Sequence, residues 1–482
     1  MLKNARQEAV RRSAVVLLSV LIVLRDLFTN LVYLRPVPAL HSYILELLII
    51  GQLWTLCLRT GEKTKMERLL LGYGAWAVLT RFLLLDFRET VSLEVLVLGE
   101  MIVAFFAMHK LDQKAAFNIF TIVTAILCGV LTVWAVCGLV IALTDVEEIR
   151  LLNEVVQVNT VETCIDFYPI NRNETAAWFM TGLWLLAYQW TTCKRRFWRI
   201  PMALSMVLMF LTIGLQRGRT TYVTVGFTIG LLAASPLLRL SWKKWCRYLL
   251  VAAVTVLCTL VIYKSFALIN TINPMLYIVA ALAIGVLGAI PLPKLQWKKW
   301  PRYALLAAVL AVCALAAYKL LARSNAAVPQ LPSLSEYFGK RRTITSRMQG
   351  WKCEIYAMVH HPLLLLFGQP EMDIPLNMVR YGGLEKAVGH THNGFLQVTA
   401  MYGLPGLLLW CSFLLPLIRK LLRVLLKETP VSERILALLL VGLLIHSIME
   451  PMFTARLGLA TAMFMLVAGR LTRENTEGDA NG

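Results

Sequence analysis

The chain has 482 residues, of which 58% are hydrophobic and 16% charged, with a mean hydropathy of +0.66 and a net charge of +20. Water-soluble domains are about 45–50% apolar and about 25% charged, so an ordinary soluble protein is excluded, and recurring apolar runs of near span length make lipid the solvent for much of the chain. The basic surplus forms neither one face nor one helix, which argues against nucleic acid as a partner; it falls in short clusters such as Lys194-Arg195-Arg196, Lys243-Lys244, Lys298-Lys299 and Arg419-Lys420, the marking of cytoplasmic loops in a multi-span protein.

In chain order, Met1–Arg12 is a charged leader that feeds a full apolar run with no A-x-A site behind it, so the first helix is expected to stay in the membrane. Apolar windows predict about fourteen transmembrane helices, near 13–34, 39–58, 69–85, 92–109, 116–143, 176–191, 201–215, 220–238, 246–264, 274–291, 302–321, 395–418, 433–449 and 456–470. With the N-terminus inside, most Lys and Arg fall in the cytoplasmic segments, and both termini are then cytoplasmic. The expected fold class is all-α and polytopic. It divides into N-terminal membrane helices (1–200), membrane helices with a duplicated hairpin (201–321), an extracytoplasmic catalytic loop (322–394), and C-terminal membrane helices with a cytoplasmic tail (395–482).

The duplication is visible as Leu240-Ser-Trp-Lys-Lys-Trp-Cys-Arg-Tyr248 recurring as Leu295-Gln-Trp-Lys-Lys-Trp-Pro-Arg-Tyr303, in register through Cys258/Cys313 and Lys264/Lys319. Its W-K-K-W clusters read as interfacial anchors, Trp at the headgroups and Lys toward the cytoplasmic leaflet. Two connections are too long for turns: an acidic one over 144–175, and the larger one over 322–394 with a helix predicted from about Thr343 to Val359. The second is too rich in Trp, Tyr, Leu and Phe for disorder, and long ordered loops are usually functional. The ten cysteines show no metal or disulfide framework; Cys164 and Cys353 alone fall in predicted outer loops.

The residues that suit chemistry lie in and beside the large loop. Gly389-His390-Thr391-His392-Asn393-Gly394-Phe395-Leu396-Gln397 stands where the loop re-enters lipid, a costly place for two histidines and an asparagine; helix capping by these residues is the plain structural alternative. Arg347 lies four residues before Trp351, on the same helical face, and arginine suits bidentate phosphate contact. Arg217-Gly218-Arg219 puts positive charge between two spans at the outer face, against the topology rule, for which an anionic headgroup is one reason and snorkelling another. Arg380, near the end of the same loop, is a further candidate for substrate binding, and Arg341 and Arg342 read as solvated.

The order of apolar span, Arg217-Gly-Arg219, apolar span, large loop with Arg347 and Trp351, then His392-Asn393 and Gly403-Leu-Pro-Gly406 resembles the O-antigen ligase and O-antigen polymerase superfamily across roughly 200–470. R-G-R stands where S-R-G is commoner in the family, so Arg217 and Arg219 both stay in view, and the extra hairpin would raise the usual twelve or so spans to fourteen. The resemblance implies a glycosyltransferase of the bacterial cytoplasmic membrane. It would move a saccharide en bloc from an undecaprenyl-diphosphate carrier to a glycan or lipid acceptor hydroxyl at the outer face. It further implies His392 as the group assisting the acceptor hydroxyl, with His390 in reserve, Asn393 positioning, and Arg347 with Arg217 or Arg219 stabilising the departing diphosphate. No D-x-D triple and no P-loop sequence occurs, so no metal and no cofactor is expected. The alternative is a flippase for the same lipid-linked saccharides; charges within predicted spans are few for that task, Glu46, Arg81 and Glu100.

Overall fold

The computed structural model describes Gly51 and residues 63–83, 89–110, 113–144, 148–151, 154–157, 172–216, 218–235, 237, 244–269, 342–380, 391–427, 429–452 and 458–473. The expected spans near 13–34, 39–58, 274–291 and 302–321, the second copy of the repeat, Cys164, Arg217 and His390 lie outside these residues.

Every other expected window meets a helix: α1 (Lys65–Leu83), α2 (Glu89–Lys110), α3 (Gln113–Thr144), α4 (Arg172–Thr192), α5 (Arg199–Leu215), α6 (Arg219–Ala234), α7 (Lys244–Ile269), α11 (Gly394–Leu426), α12 (Val431–Met449) and α13 (Gly458–Thr472). Among the described residues four stretches are long and apolar enough to cross a membrane: Phe117–Leu139, Trp245–Phe266, Gly394–Leu426 and Val431–Met449. Shorter apolar helices cover Val97–His109, Arg199–Leu215 and Leu459–Thr472. The helix predicted in the large loop is found as α8 (Arg342–His360), followed by α9 (Pro362–Phe367) and α10 (Ile374–Arg380). Among the described residues the departure from an all-α fold is a hairpin in the acidic connection. There β1 (Glu148–Leu151) pairs antiparallel with β2 (Glu154–Gln157), Leu151 opposite Glu154. The alternating E-I-R-L of β1 and the β-branched Val155 and Val156 of β2 suit a pleated strand.

α12 is the axis of the bundle, packed against α4, α6, α11 and α13. Its residues are apolar on every side, as a helix surrounded by protein requires. Polar residues tie the layers where lipid offers nothing else. Thr64 and Glu67 form a reciprocal capping box at the start of α1, and the second oxygen of Glu67 meets His109 Nδ1 of α2 at 2.7 Å. Arg470 of α13 lies over the rings of Phe117, Phe120 and Tyr188, joining α3 and α4.

The feature that shapes the site is the break in α11. Gly403 has φ 69° and ψ −178°, and Pro405 follows. A proline has no N–H for the carbonyl four residues earlier, so Met401 O is released from the helix ladder. Arg81 Nη2 donates to it at 3.0 Å and to Gln369 O at 3.2 Å. Nearby, Tyr402 O accepts from Trp76 Nε1 at 2.7 Å and Ala400 O from Gln369 N at 2.8 Å. Two carbonyls from outside its own helix thus hold one nitrogen of the Arg81 guanidinium. Gly403 and Gly368 (φ 74°) make this possible, because a Cβ on either would come within 2.2 Å of the opposing backbone carbonyl.

Candidate functional site

The break leaves the first turns of α11 facing the loop helices, and the residues just before it form the centre of a polar cluster. Asn393 is the N-cap of α11: its Oδ1 accepts from Leu396 N at 2.9 Å, while its Nδ2 donates to Ile448 O at the end of α12 at 2.9 Å. The capping alternative therefore holds for Asn393, which also pins the loop to α12. Thr391 is fixed from both sides. Its carbonyl accepts from Trp351 Nε1 at 2.6 Å, and its N–H and hydroxyl both reach Gln397 Oε1, at 3.0 and 2.9 Å. Gln397 Nε2 lies 3.4 Å from Glu371 Oε1.

His392, clamped between these two anchors, has φ 52°, a left-handed conformation uncommon for a residue with a side chain. Such backbone persists only where its surroundings over-determine it, and the Thr391 and Asn393 contacts do so. Its Nδ1 faces Glu450 Oε2 at 3.5 Å.

Glu450 ends α12 and is the hub of the cluster. Its Oε1 accepts from Arg347 Nη2 at 2.9 Å and from Asn173 Nδ2 at 2.7 Å, while Arg347 Nη1 donates to Met449 O at 3.1 Å. Burial alone would raise the Glu450 carboxyl, but the neighbouring His392 imidazole and the Arg347 guanidinium outweigh it and hold it below the ordinary carboxylate range. One turn earlier, His446 is buried, and neither ring nitrogen has a hydrogen-bond partner among the described residues.

The structure thus brings Arg347, Trp351, His392 and Asn393 together. Arg219 is the exposed first residue of α6. Asn173, at the start of α4, meets Glu450, and α4, α5 and α6 run in succession through short turns, packed against one another, so the start of α6 returns to the end of the bundle where α12 finishes at Glu450. The starts of α4, α6 and α11 meet this end, and helix N-termini favour negative charge. Arg380 is the exposed last residue of α10, which packs against α8. A second buried carboxyl, Glu354 on α8, accepts from Gln369 Nε2 at 3.1 Å, Gln369 in turn accepting from Asn377; burial pushes Glu354 up to about 7.

Sequence reasoning did not find Glu450, Asn173 or His446, and it gave no role to Gln397, the last residue of the motif it singled out. A signal for the first existed: Glu450-Pro451 is an acidic residue directly after an apolar run, at the same depth as the histidines.

No curated protein matches this chain. Residues 264–411 match the family model Wzy_C, O-antigen ligase. Arg347, Trp351, His392 and Asn393 all fall inside the matched segment, and the match, which covers about a third of the chain, supports the resemblance to the O-antigen ligase and polymerase superfamily.

Proposed function

We propose that the protein transfers a saccharide en bloc from an undecaprenyl-diphosphate carrier to the hydroxyl of a glycan or lipid acceptor at the outer face of the cytoplasmic membrane, without a metal ion. The observation that carries this reading is the His392–Glu450–Arg347 cluster, set where the family match, the helix N-termini and the loop re-entry coincide.

In this reading Nδ1 of His392 carries the proton and donates toward Glu450, which leaves the Nε2 lone pair for the acceptor hydroxyl. The acceptor oxygen attacks the anomeric carbon, its proton passes to Nε2, and the bond from that carbon to the diphosphate oxygen breaks with its electron pair on the diphosphate. A single displacement of this kind inverts the anomeric carbon. Arg219 or Arg217 meets the charge that develops on the leaving group, with the N-terminus of α6 behind it. Arg347 serves there through whatever donor capacity its bonds to Glu450 and Met449 leave. Glu450 is a positioning residue that fixes the tautomer of His392, as a carboxylate does for a catalytic imidazole.

The test is transfer of glycan from purified undecaprenyl-diphosphate donor by detergent-solubilised protein in EDTA, comparing wild type with His392→Ala and Arg219→Ala at matched folded yield. Transfer that survives EDTA and falls by at least about a hundredfold, the scale of general-base loss, in His392→Ala supports the proposal. Donor binding without transfer to any acceptor overturns it and moves the reading to a flippase.

A further inference from the structure

Between α8 and α11 the chain presents an apolar face that no part of the described protein covers. α9 reads Pro-Leu-Leu-Leu-Leu-Phe, has no polar side chain and no buried residue, and Leu363 is 67% exposed. On a surface in water such a patch is an aggregation hazard. Three observations say what covers it.

The first is depth. Arg419-Lys420 marks one membrane edge of α11. About twenty residues of helix at about 1.5 Å each span the hydrocarbon, so counting back from Ile418 puts the other edge near Thr399. The end of α9 packs backbone to backbone on α11 at Met401–Gly403, through Gly368 and Gly403, and Phe367 stacks on Trp76 of α1. That contact lies a few residues, about 6 Å, inside the apolar slab. The second is continuity. Leu79, Phe82 and Leu83 of α1 and Leu404 and Leu408 of α11 are exposed on the two helices against which α9 and its flank pack. The third is a gradient along α8, whose exposed face runs from Met348, Gln349 and Lys352 to Ile355, Tyr356 and Val359 as it approaches α9. His360 and His361 sit at the turn.

We propose that α9 is a re-entrant element inserted into the acyl-chain region of the leaflet on the His392 side, with lipid tails as the occupant of its open face and α8 descending obliquely through the headgroups. The backbone is compatible with this placement. Leu364 N reaches His361 O at 2.8 Å, Gly368 N reaches Leu364 O at 2.9 Å and Gln369 N reaches Ala400 O, so the segment carries its own hydrogen bonds into a medium that supplies none. Insertion would fix the height of Gln369 and thus of the Thr391–Asn393 loop relative to the membrane surface, whatever reaction the site performs.

The experiment uses the full chain reconstituted in phosphatidylethanolamine and phosphatidylglycerol vesicles containing a phospholipid with a diazirine on its acyl chain. After photolysis, adducts are mapped by peptide mass spectrometry. The expected result is lipid adducts on residues 362–367 at a yield comparable to residues 404–408, with loss of adducts at Gln349 and Lys352. Labelling of 404–408 with none on 362–367 overturns the proposal, as does equal labelling of Gln349 and Lys352. Disulfide cross-links between two chains that form only with Leu363→Cys, in place of lipid adducts on residues 362–367, would assign the face to a second copy and also overturn it. None of these readouts depends on transferase activity.

Discussion

Replacing Glu450 by glutamine isolates the charge of the hub from its shape. The amide keeps an oxygen for Arg347 and Asn173 and loses the ionic part of the contacts with Arg347 at 2.9 Å and His392 at 3.5 Å. A hydrogen bond to a charged group is worth about 1.5–3 kcal/mol. The histidine contact is longer than the 2.7–2.9 Å of a strong charge-assisted bond, so about 1.5 kcal/mol is its share, or about tenfold in rate at about 1.36 kcal/mol per decade. Loosening of Arg347, which also holds Met449 O beside the Asn393 anchor on Ile448 O, extends the loss toward a hundredfold. Since the folded Glu450 carboxyl is held below its ordinary value, the stability it contributes is fully present above the unfolded carboxylate pKa and is lost as pH falls through the folded one. The assay pairs initial transfer rates with melting curves in detergent between acid and neutral pH. Glu450→Gln is expected to lower kcat by about 10- to 100-fold and to flatten the acid side of the Tm profile, with Glu450→Asp between. A folded Glu450→Gln protein that transfers at the wild-type rate refutes the positioning role.

Three further outcomes follow from the geometry. Glu354 has a folded value near 7 against a reference of 4.5, so the folded state binds the extra proton, and ionising it above neutral pH costs roughly 3 kcal/mol; Glu354→Gln should therefore raise Tm at pH 8 and leave it nearly unchanged at pH 4.5, and equal shifts at both pH values would contradict this. Gly403→Ala and Gly368→Ala each force a Cβ to within 2.2 Å of a carbonyl at positive φ, a cost of about 2–5 kcal/mol, visible as loss of monodisperse protein on size exclusion, whereas Gly350→Ala, which meets nothing within 4 Å, should behave as wild type. Trp351→Phe keeps an aromatic ring, though a smaller one, and removes the 2.6 Å bond to Thr391 O, so transfer should fall several-fold, about 1 kcal/mol, with Tm lowered by a few degrees at most; an unchanged rate would mean that Asn393 alone holds the loop.

What the sequence made legible is set by locality and by solvent. α8 was readable because polar and apolar residues recur along it at helical spacing, and the start of α11 because Asn393 is a cap whose partner, Leu396, is three residues away. In the spans lipid removes the contrast between inside and outside, so the fact that α12 is the axis while much of α7 is left uncovered by the other described residues leaves little trace in composition. The hub escaped for a related reason. Glu450 reads as the end of an apolar run, and the partners that give it meaning, Arg347 and Asn173, stand 103 and 277 residues away. Arg81 makes the general case. A guanidinium in a predicted span announces that something must satisfy it. Two of its hydrogen bonds go to carbonyls, one of them on a residue 320 positions later and released by Pro405, so the helix breaker and the buried cation answer each other. Read separately, each looks like a defect of its own helix; the chain becomes intelligible when every charge and every proline in an apolar run is treated as one half of a pair, whose other half is a hydrogen-bonding deficit elsewhere in the bundle.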